Sequence, residues 1–450
     1  KNKGDKKDPS SYRPISNLSL FGKCQEVAMD LQLREYCEKY GLFGSHQHGF
    51  RRSRSTTTAL LTTITRLRNE RKKKFRAVLL YDLSAAYDIL PKELLLEKAD
   101  IMGIRGRELM WLSSYLSSRT QVVQVNEATS SETPLDTGIP QGSSISCLIF
   151  ALYVGDAEMW VDQSLVAAYA DDTMLLIEAD SLDDLKAKTK TEGERLLRFF
   201  ASNQMVANAS KTGLLVFRPT RQAQCPPLSV NLAGEDITEV FEEKILGLIV
   251  NNELKWNGHV SKLQNECHYH LYVLRRLRHI LTNAQLTTIA EGIIMSRLRY
   301  CLPVFGSEFV RLRDTDIRSS VINNLQKIQN DMLRIITSKQ RRDHERIADM
   351  LADTKMLSIN QLAAYSILLE TWRAKTSAIP HLSSLLTYGR SDERTLRSDT
   401  TKNASASSCE PFAMCAAQLW NLTSERFKDT KSIIVAKKET RTTAAQLPQL

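Results

Sequence analysis

An apolar run, Ala77 to Leu83, is broken by a single acid, Asp82, close to its end. A short run of this kind, without alternation, marks a buried strand rather than one with a solvated face. A carboxylate at the end of such a strand is costly to leave uncompensated, and acids in this setting commonly meet a cation. A second feature sharpens the first. Leu165 to Tyr169 and Thr173 to Ile177 are β-prone runs joined by Ala170-Asp171-Asp172, which reads as a hairpin with two carboxylates at its tip.

Each acid alone has a plain reading: Asp is a favoured turn residue, and a strand-end acid can bond a helix N-terminus. Together they point to chemistry. Paired hard oxygen ligands suit Mg²⁺ shared with substrate phosphates. Two such ions, roughly 3.5–4 Å apart, suit the in-line displacement of nucleotidyl transfer.

Charge supports a polyanion partner by its layout rather than by its total. Residues 1–80 hold 18 Lys and Arg against 7 Asp and Glu; residues 81–200 hold 10 against 20; residues 261–450 hold 28 against 18. Two basic lobes flank an acidic centre, as expected where nucleic acid is gripped around metal-binding carboxylates. With 42% apolar and 25% charged residues in 450, wholesale disorder and coiled-coil architecture are disfavoured. No window approaches 18 uninterrupted apolar residues, so no membrane span is expected. The chain opens on Lys1 with neither Met nor signal peptide, and reads as a fragment of something longer. Eight Cys form no CxxC pair and suggest reduced thiols. Cys267-His268-Tyr269-His270 lacks a second ligand pair and reads as a helix surface.

Along the chain, residues 1–20 read as an extended entry. Helical spacing of Cys24, Val27, Ala28 and Leu31 predicts a helix from Phe21 to Tyr40, capped by Gly41, and that of Leu60, Leu61, Ile64 and Leu67 a helix over 56–70. Residues 92–116 read as mostly helical, Gln121 to Val125 as a strand, and Thr137 to Gly142 as a loop. Ser143 and Ser144 offer caps for a helix reaching about Trp160, and Ser181 caps the next. Leu214 to Phe217 and Ile245 to Val250 read as strands. Beyond about residue 256 the pattern is helical, over 261–281, 284–300 and 316–338, and the last hundred residues, with the Ser-rich Ser398 to Ser408, read as a loosely packed tail.

Tyr169-Ala170-Asp171-Asp172 resembles the YxDD motif of reverse transcriptases, and Asp82-Leu83-Ser84-Ala85-Ala86-Tyr87-Asp88 their first aspartate motif. Gly138-Ile139-Pro140-Gln141-Gly142-Ser143 lies between them, similar to the PQG motif. Upstream, Ser11 to Ser16 and Gln47 to Arg51 resemble fingers motifs of non-LTR retrotransposons and group II intron enzymes. Downstream, Lys211-Thr212, Ile245 to Leu248, Leu254-Lys255-Trp256 and His259 resemble the closing palm motif and the primer grip. The resemblance is to LINE-like, jockey- and CR1-type enzymes; it covers residues 8–260, and more weakly the C-terminal helices through Leu298-Arg299-Tyr300 and Trp420-Asn421. Ala85 stands where the family often has Lys or Arg, Tyr87 where it more often has Phe, and Ile145-Ser146-Cys147 where Leu-Ser-Pro is common.

The resemblance implies an α+β right-hand polymerase with a mostly helical C-terminal region: fingers over 1–80, a palm with an antiparallel sheet over 81–255 carrying a fingers insertion near 90–135, a helical thumb over 256–340, and a further region over 341–450. It implies that Asp82, Asp171 and Asp172 are catalytic and, with the Leu83 carbonyl, hold two Mg²⁺ ions, Mn²⁺ being an alternative. Tyr87 becomes a steric gate against a ribose 2′-hydroxyl. Gln141 and Gly142 contact the nucleotide or template, Arg51, with Arg52 and Arg54 beside it, approaches the triphosphate, and Lys211 assists pyrophosphate departure. Leu246 and Gly247 form the primer grip, and Arg54, Lys262, Arg275 and Arg276 hold nucleic acid. The partners implied are an RNA template, a DNA primer or target and dNTPs, with target-primed synthesis in the nucleus after a cytoplasmic ribonucleoprotein stage; oligomeric state stays open. A group II intron-like or domesticated reverse transcriptase, and an inactive RNA-binding remnant, are the alternatives.

Overall fold

A computed structural model describes residues 15–68, 74–84, 86–125, 127–207, 211–219, 226–313, 315–316, 319–377 and 411–449. The chain groups into two compact units: residues 1–55, 74–218 and 222–240 form the first, and residues 56–73, 219–221 and 241–450 the second.

Helix α1 (Leu20–Tyr40) starts where Ser19 accepts the Gly22 N–H, 3.1 Å away, and ends where Gly41, at φ 65°, turns its own N–H back to the Cys37 carbonyl. The spacing that marked this helix does not mark its buried face. Val27 and Leu31 are half or more exposed, Cys24 is exposed, and the buried residues are Glu26, Leu33 and Cys37. The helix packs by the opposite stripe because a loop described below satisfies Glu26. Helix α2 (Thr56–Arg68) belongs to the second unit, where Leu60, Leu61, Ile64 and Leu67 are all buried as their spacing predicts.

The heart of the first unit is an antiparallel sheet. Strand β1 (Phe75–Tyr81) lies between its later partners, and Asp82 falls just past its end; β2 (Leu83–Ser84) then makes a separate short ladder. After α3 (Lys92–Ile101) and α4 (Arg107–Leu116), the single strand expected over 121–125 is instead four two-residue strands, β3 (Thr120–Gln121) to β6 (Thr133–Pro134), with β4 (Gln124–Val125) and β5 (Ala128–Thr129) between. All four are solvent-exposed, so no buried face holds the run straight. Helix α5 (Ser146–Tyr153) is shorter than expected and gives way to a 3₁₀ turn over Ala157–Trp160. The N-cap is Ile145 rather than Ser143 or Ser144 and has no side-chain cap, although Ser143 Oγ accepts the Ser146 N–H, 3.4 Å away.

Strands β7 (Leu165–Tyr169) and β8 (Asp172–Ala179) form the hairpin, one residue tighter than expected, and helix α6 (Leu182–Ser202), capped by Ser181, packs on β1 and β8. β9 (Val206–Ala207) pairs with β2, and β10 (Gly213–Phe217) completes the sheet in the order β10-β1-β8-β7. β1 is buried at six of its seven positions. Its one charge, Arg76, is 2% exposed and meets the cross-strand carboxylate of Glu178 at 3.3 Å. Each fully buried Leu or Val here contributes roughly 1.5–3 kcal/mol. A small hairpin, β11 (Ser229–Leu232) and β12 (Glu235–Thr238), closes the unit against α6 and β10.

The second unit opens with a correction. Ile245 to Val250 is not one strand but the turn of a hairpin, β13 (Glu242–Ile245) and β14 (Leu248–Asn251), because Leu246 and Gly247 take positive φ of 45° and 87°. Helices follow: α7 (Asn257–Leu277), α8 (Asn283–Ala290), α9 (Ser296–Arg299) after a π-turn over Glu291–Met295, α10 (Leu302–Gly306), α11 (Ser320–Ile336), α12 (Ile347–Thr354) and α13 (Ile359–Thr376). Three more run over Pro411–Asn421, Glu425–Asp429 and Ile433–Ala445.

The described part of the tail is packed, not loose. Helix α13 is buried nearly all round, as a central core helix must be. Gln361 donates to the Ala445 and Leu447 carbonyls, and Asn360 to that of Pro448, so buried amides pin the last described turn to α13. Polar composition hid this, because buried polar side chains are invisible to a hydrophobic pattern. Ser398 to Ser408 lies outside the described residues. No described helix is long and apolar enough to cross a membrane.

Candidate active site

The register of β1 and β8 sets the geometry. Tyr81 faces Thr173 across the ladder, so Asp82, one residue on, and Asp172, one residue before, stand at the same end of adjacent strands. Tyr169 pairs with Asp172, leaving Ala170 and Asp171 as a two-residue turn. Ala170 takes φ 59°, a left-handed conformation that costs a non-glycine residue roughly 1–2 kcal/mol. Strain of this kind persists only where the surroundings hold it.

The segment 46–49 is what holds it. His48 N–H donates to the Ala168 carbonyl, 2.8 Å away, and Ala168 N–H to that of His46 at 3.1 Å, so the segment runs as a short parallel partner of β7. Gly49 then passes so close to the turn that a Cβ there would sit 2.4 Å from the Ala170 nitrogen. The Gln47 carboxamide accepts the Gly49 N–H at 2.9 Å.

A cation already sits on Asp82: the Lys211 ammonium, 2.6 Å from its carboxylate. The three carboxylates and the Leu83 carbonyl are hard oxygens, the donor type that divalent cations take. Among the described residues no three His, Cys, Asp or Glu side chains converge on one point. Sharing of such an ion with substrate phosphates fits that arrangement better than an all-protein cage.

Beside the carboxylates, residues 86–91 and 137–142 are zipped together. Ile139 N–H donates to the Tyr87 carbonyl and Gly138 N–H to that of Leu90, at 2.8 and 2.7 Å. Gly138, at φ 84°, lies so close to Asp88 that a Cβ would fall 2.6 Å from its carbonyl oxygen. The Gln141 amide donates to the Asp88 carboxylate at 2.7 Å, which leaves its carbonyl end unclaimed by that bond. Gln141 accepts the Ser16 N–H through its main-chain carbonyl at 2.7 Å. Gly142, at φ 102°, faces the Ser16 carbonyl.

Tyr87 stacks on Phe150 with ring centroids 4.7 Å apart. Its buried hydroxyl makes no ordinary hydrogen bond and lies against the Cys147 thiol. Burial first, then the nearby Cys147 and Asp171 charges, hold that phenol far above its usual range, so it stays neutral.

The arginines behave differently from expectation. Arg51 forms a fork with Glu38, its Nη2 2.7 Å from the carboxylate, and lies over the Phe43 ring. Arg54 donates to the Ser45 and Gln47 carbonyls. Burial, helped by the neighbouring Arg51 charge, lowers Arg54 to about 10. Both brace the 44–50 loop, and Arg52 is the exposed cation of the group.

In the second unit, the Leu246-Gly247 turn is braced by Tyr300, which donates to the Leu246 carbonyl and lays its ring against Gly247. His259, 3% exposed, accepts the Ile249 N–H, tying the hairpin to α7, and Trp256, the residue before α7, donates to Glu308 at 3.1 Å. Lys262 lies 4.0 Å from Glu266, while Arg275 and Arg276 are exposed in the last turn of α7. Arg275, Arg278, Arg334, Lys339 and Arg341 line one groove of about 430 Å³ together with Asp331, which pairs with Arg334 and Arg341.

Sequence reasoning gave no role to Asp88 and Tyr300, which bond Gln141 and Leu246, or to Glu26 and Tyr115, which bond Ser143 and Ser144 just beyond Gly142. Two of them stood in quoted motifs, Asp88 in the first aspartate motif and Tyr300 in Leu298-Arg299-Tyr300.

Residues 4–260 match the reverse transcriptase (RNA-dependent DNA polymerase) family. Among curated relatives, the chain is 24% identical over 339 residues to the probable RNA-directed DNA polymerase from transposon X-element of Drosophila melanogaster, covering 74% of this chain and 36% of that one. It is 28% identical over 313 residues to the RNA-directed DNA polymerase from mobile element jockey of the same fly, covering 66% and 33%. The chain thus spans about a third of the length of these relatives. Among solved structures, apo telomerase from Candida tropicalis aligns with a TM-score of 0.40 at 13% identity, over 81% of this chain and 60% of that one, a likeness too slight to bear on the site.

Proposed function

This chain belongs to the reverse transcriptase family, and from that premise we propose that it copies RNA into DNA, joining dNTPs to a primer 3′-hydroxyl. The observation that carries the reading is the meeting of Asp82 with the Asp171-Asp172 turn at one end of paired strands, with the Lys211 ammonium on Asp82.

We assign Asp82 and Asp171 as the ligands of two Mg²⁺ ions, with Asp172 and the Leu83 carbonyl beside them. When bound, such ions neutralise phosphate charge and favour the deprotonated 3′-hydroxyl. The rest falls to side chains. Lys211 balances the charge of the departing pyrophosphate. Tyr87, fixed by Phe150 and kept neutral by burial, walls off the space a ribose 2′-hydroxyl needs. Gln141, turned by Asp88, offers its carboxamide oxygen to the incoming nucleotide or template.

The bracing of Arg51 by Glu38 shifts the triphosphate contact toward exposed Arg52. Leu246 and Gly247 act as the primer grip, and the groove of Arg275, Arg278, Arg334, Lys339 and Arg341 supports contact with a phosphodiester backbone. Target-primed synthesis on chromosomal DNA, reached through a cytoplasmic ribonucleoprotein, is the setting we assign, as for a LINE-like element.

Extension of a DNA primer on an RNA template with Mg²⁺ and dNTPs tests the reading, with Asp171→Asn alongside. Extension by the intact chain and none by the variant is the expected outcome. A folded intact chain that binds template yet adds no nucleotide overturns it.

A further inference from the structure

Helix α1 exposes apolar side chains and buries a charged one. Leu20, Phe21, Val27 and Leu31 are at least half exposed, whereas Glu26 is 2% exposed. A buried carboxylate must have its oxygens filled. Here neutral donors fill them: the Tyr115 hydroxyl at 2.6 Å from Oε1, and the Ser144 N–H and hydroxyl at 3.2 and 3.3 Å from Oε2.

Tyr115 shares its hydroxyl with Ser143 at 2.8 Å, and Ser143 in turn receives the Ser146 N–H. Burial first, and the bond to Glu26 second, push the Tyr115 phenol up to about 12, so it remains an O–H donor near neutrality. Ser143, Ser144 and Ser146 lie two to five residues beyond Gln141, and Tyr115 reaches them from α4. The loop over 141–146 is therefore held from both sides. Asp88 and Ser16 fix Gln141 on one side, and Glu26 with Tyr115 fixes Ser143 and Ser144 on the other.

We propose that Glu26 is a positioning residue: its buried carboxylate, acting through Ser144 and Tyr115, sets the conformation of the Gln141-Gly142 loop and so the fit of the incoming nucleotide. The inference rests on the polymerase reading above for the nucleotide, but not for the loop. Glu26→Gln keeps an acceptor oxygen for Ser144. Glu26→Ala removes it and releases exposed Ser144 from the helix to water.

Single-nucleotide extension kinetics and hydrogen exchange over residues 138–146 test the proposal together. In Glu26→Ala the KM for dNTP rises about tenfold with kcat changed far less, as loss of hydrogen bonds to a charged acceptor warrants. Exchange at 143–146 quickens, and Glu26→Gln restores both to within about threefold. A merely structural role lowers the melting temperature and the active fraction and leaves KM alone; that result, or Glu26→Gln behaving like Glu26→Ala, overturns the proposal. Should Glu26→Ala fail to fold, Tyr115→Phe, which removes one donor only, gives the same readouts. If the intact chain adds no nucleotide, the polymerase reading fails, and unchanged loop exchange in Glu26→Ala still overturns the positioning role by itself.

Discussion

Two hairpins, one in each unit, solve the same backbone problem in opposite ways. Both have two-residue turns, Ala170-Asp171 and Leu246-Gly247, closed by the pairs Tyr169 with Asp172 and Ile245 with Leu248. In the second, both central residues take positive φ, Leu246 at 45° and Gly247 at 87°. In the first, positive φ falls on Ala170 and the two acids follow it. The second turn, where Leu246 carries the same left-handed cost as Ala170, is braced by one phenol, Tyr300. The first is held by a whole segment that pairs with β7 and brings Gly49 onto its backbone. Both turns place a non-glycine residue at positive φ, and they differ in what holds it: a single side chain in one, a paired segment of backbone in the other.

The sharpest way to break this contrast is Gly49→Ala. The new Cβ would meet the Ala170 nitrogen at 2.4 Å, and the next nearest atoms are also backbone, so nothing flexible can swing aside. The turn must move, at a cost of about 3 kcal/mol, the upper end of ordinary overpacking. Displacement by about 1 Å at reacting groups lowers turnover on the order of a hundredfold. Gly234→Ala is the control: it also has positive φ, at 94°, but open space around it. It loses stability only. Primer extension at matched folded fraction checks this, and equal activity of the two variants would refute the bracing role of Gly49.

The same contrast explains what could be read from the sequence. Asp82, Asp171 and Asp172 were legible because apolar runs fix strands, and strands fix where their ends fall. Leu60, Leu61, Ile64 and Leu67 were legible because helix α2 buries one stripe. Helix α1 was legible as a helix, but the apolar stripe that marked it is exposed, because its buried stripe contains a glutamate whose partners lie 89 and 118 residues away. The Leu246-Gly247 turn was read as strand, since apolar residues continue on both sides of it. Arg51 looked free to meet phosphate because its partner, Glu38, lies 13 residues earlier on another element. Patterns of period reveal faces; they do not reveal which polar groups meet across loops.

Acid should separate the units next. His259 lies under the second hairpin, where burial, with the Lys262 charge second, lowers it from 6.5 to about 4. Below pH 6.5 the unfolded chain takes up a proton that the folded chain refuses until about pH 4. Its contribution is therefore complete above 6.5, falls as the pH drops toward 4, and is constant below that. At about 1.4 kcal/mol per pH unit, the loss approaches 3 kcal/mol. Denaturation midpoints between pH 7 and 4 should fall more steeply for the intact chain than for His259→Asn, which keeps an acceptor for the Ile249 N–H without a titrating ring. Equal slopes would remove His259 as the cause.

The smallest effect probes the strain itself. Ala170→Gly removes a left-handed penalty of roughly 1–2 kcal/mol. It adds an unfolded-state entropy cost of roughly 0.5–1 kcal/mol. The balance favours the variant by about 0.5 kcal/mol, so its denaturation midpoint should rise slightly. Extension should nevertheless fall by a few-fold, because glycine lets the turn sample positions that Ala170 and Gly49 together exclude. A variant both less stable and equally active would mean that the turn is not strained, and that the carboxylates are held by the ladder of β7 and β8 alone. Greater stability with lower activity is the signature of strain retained for placement.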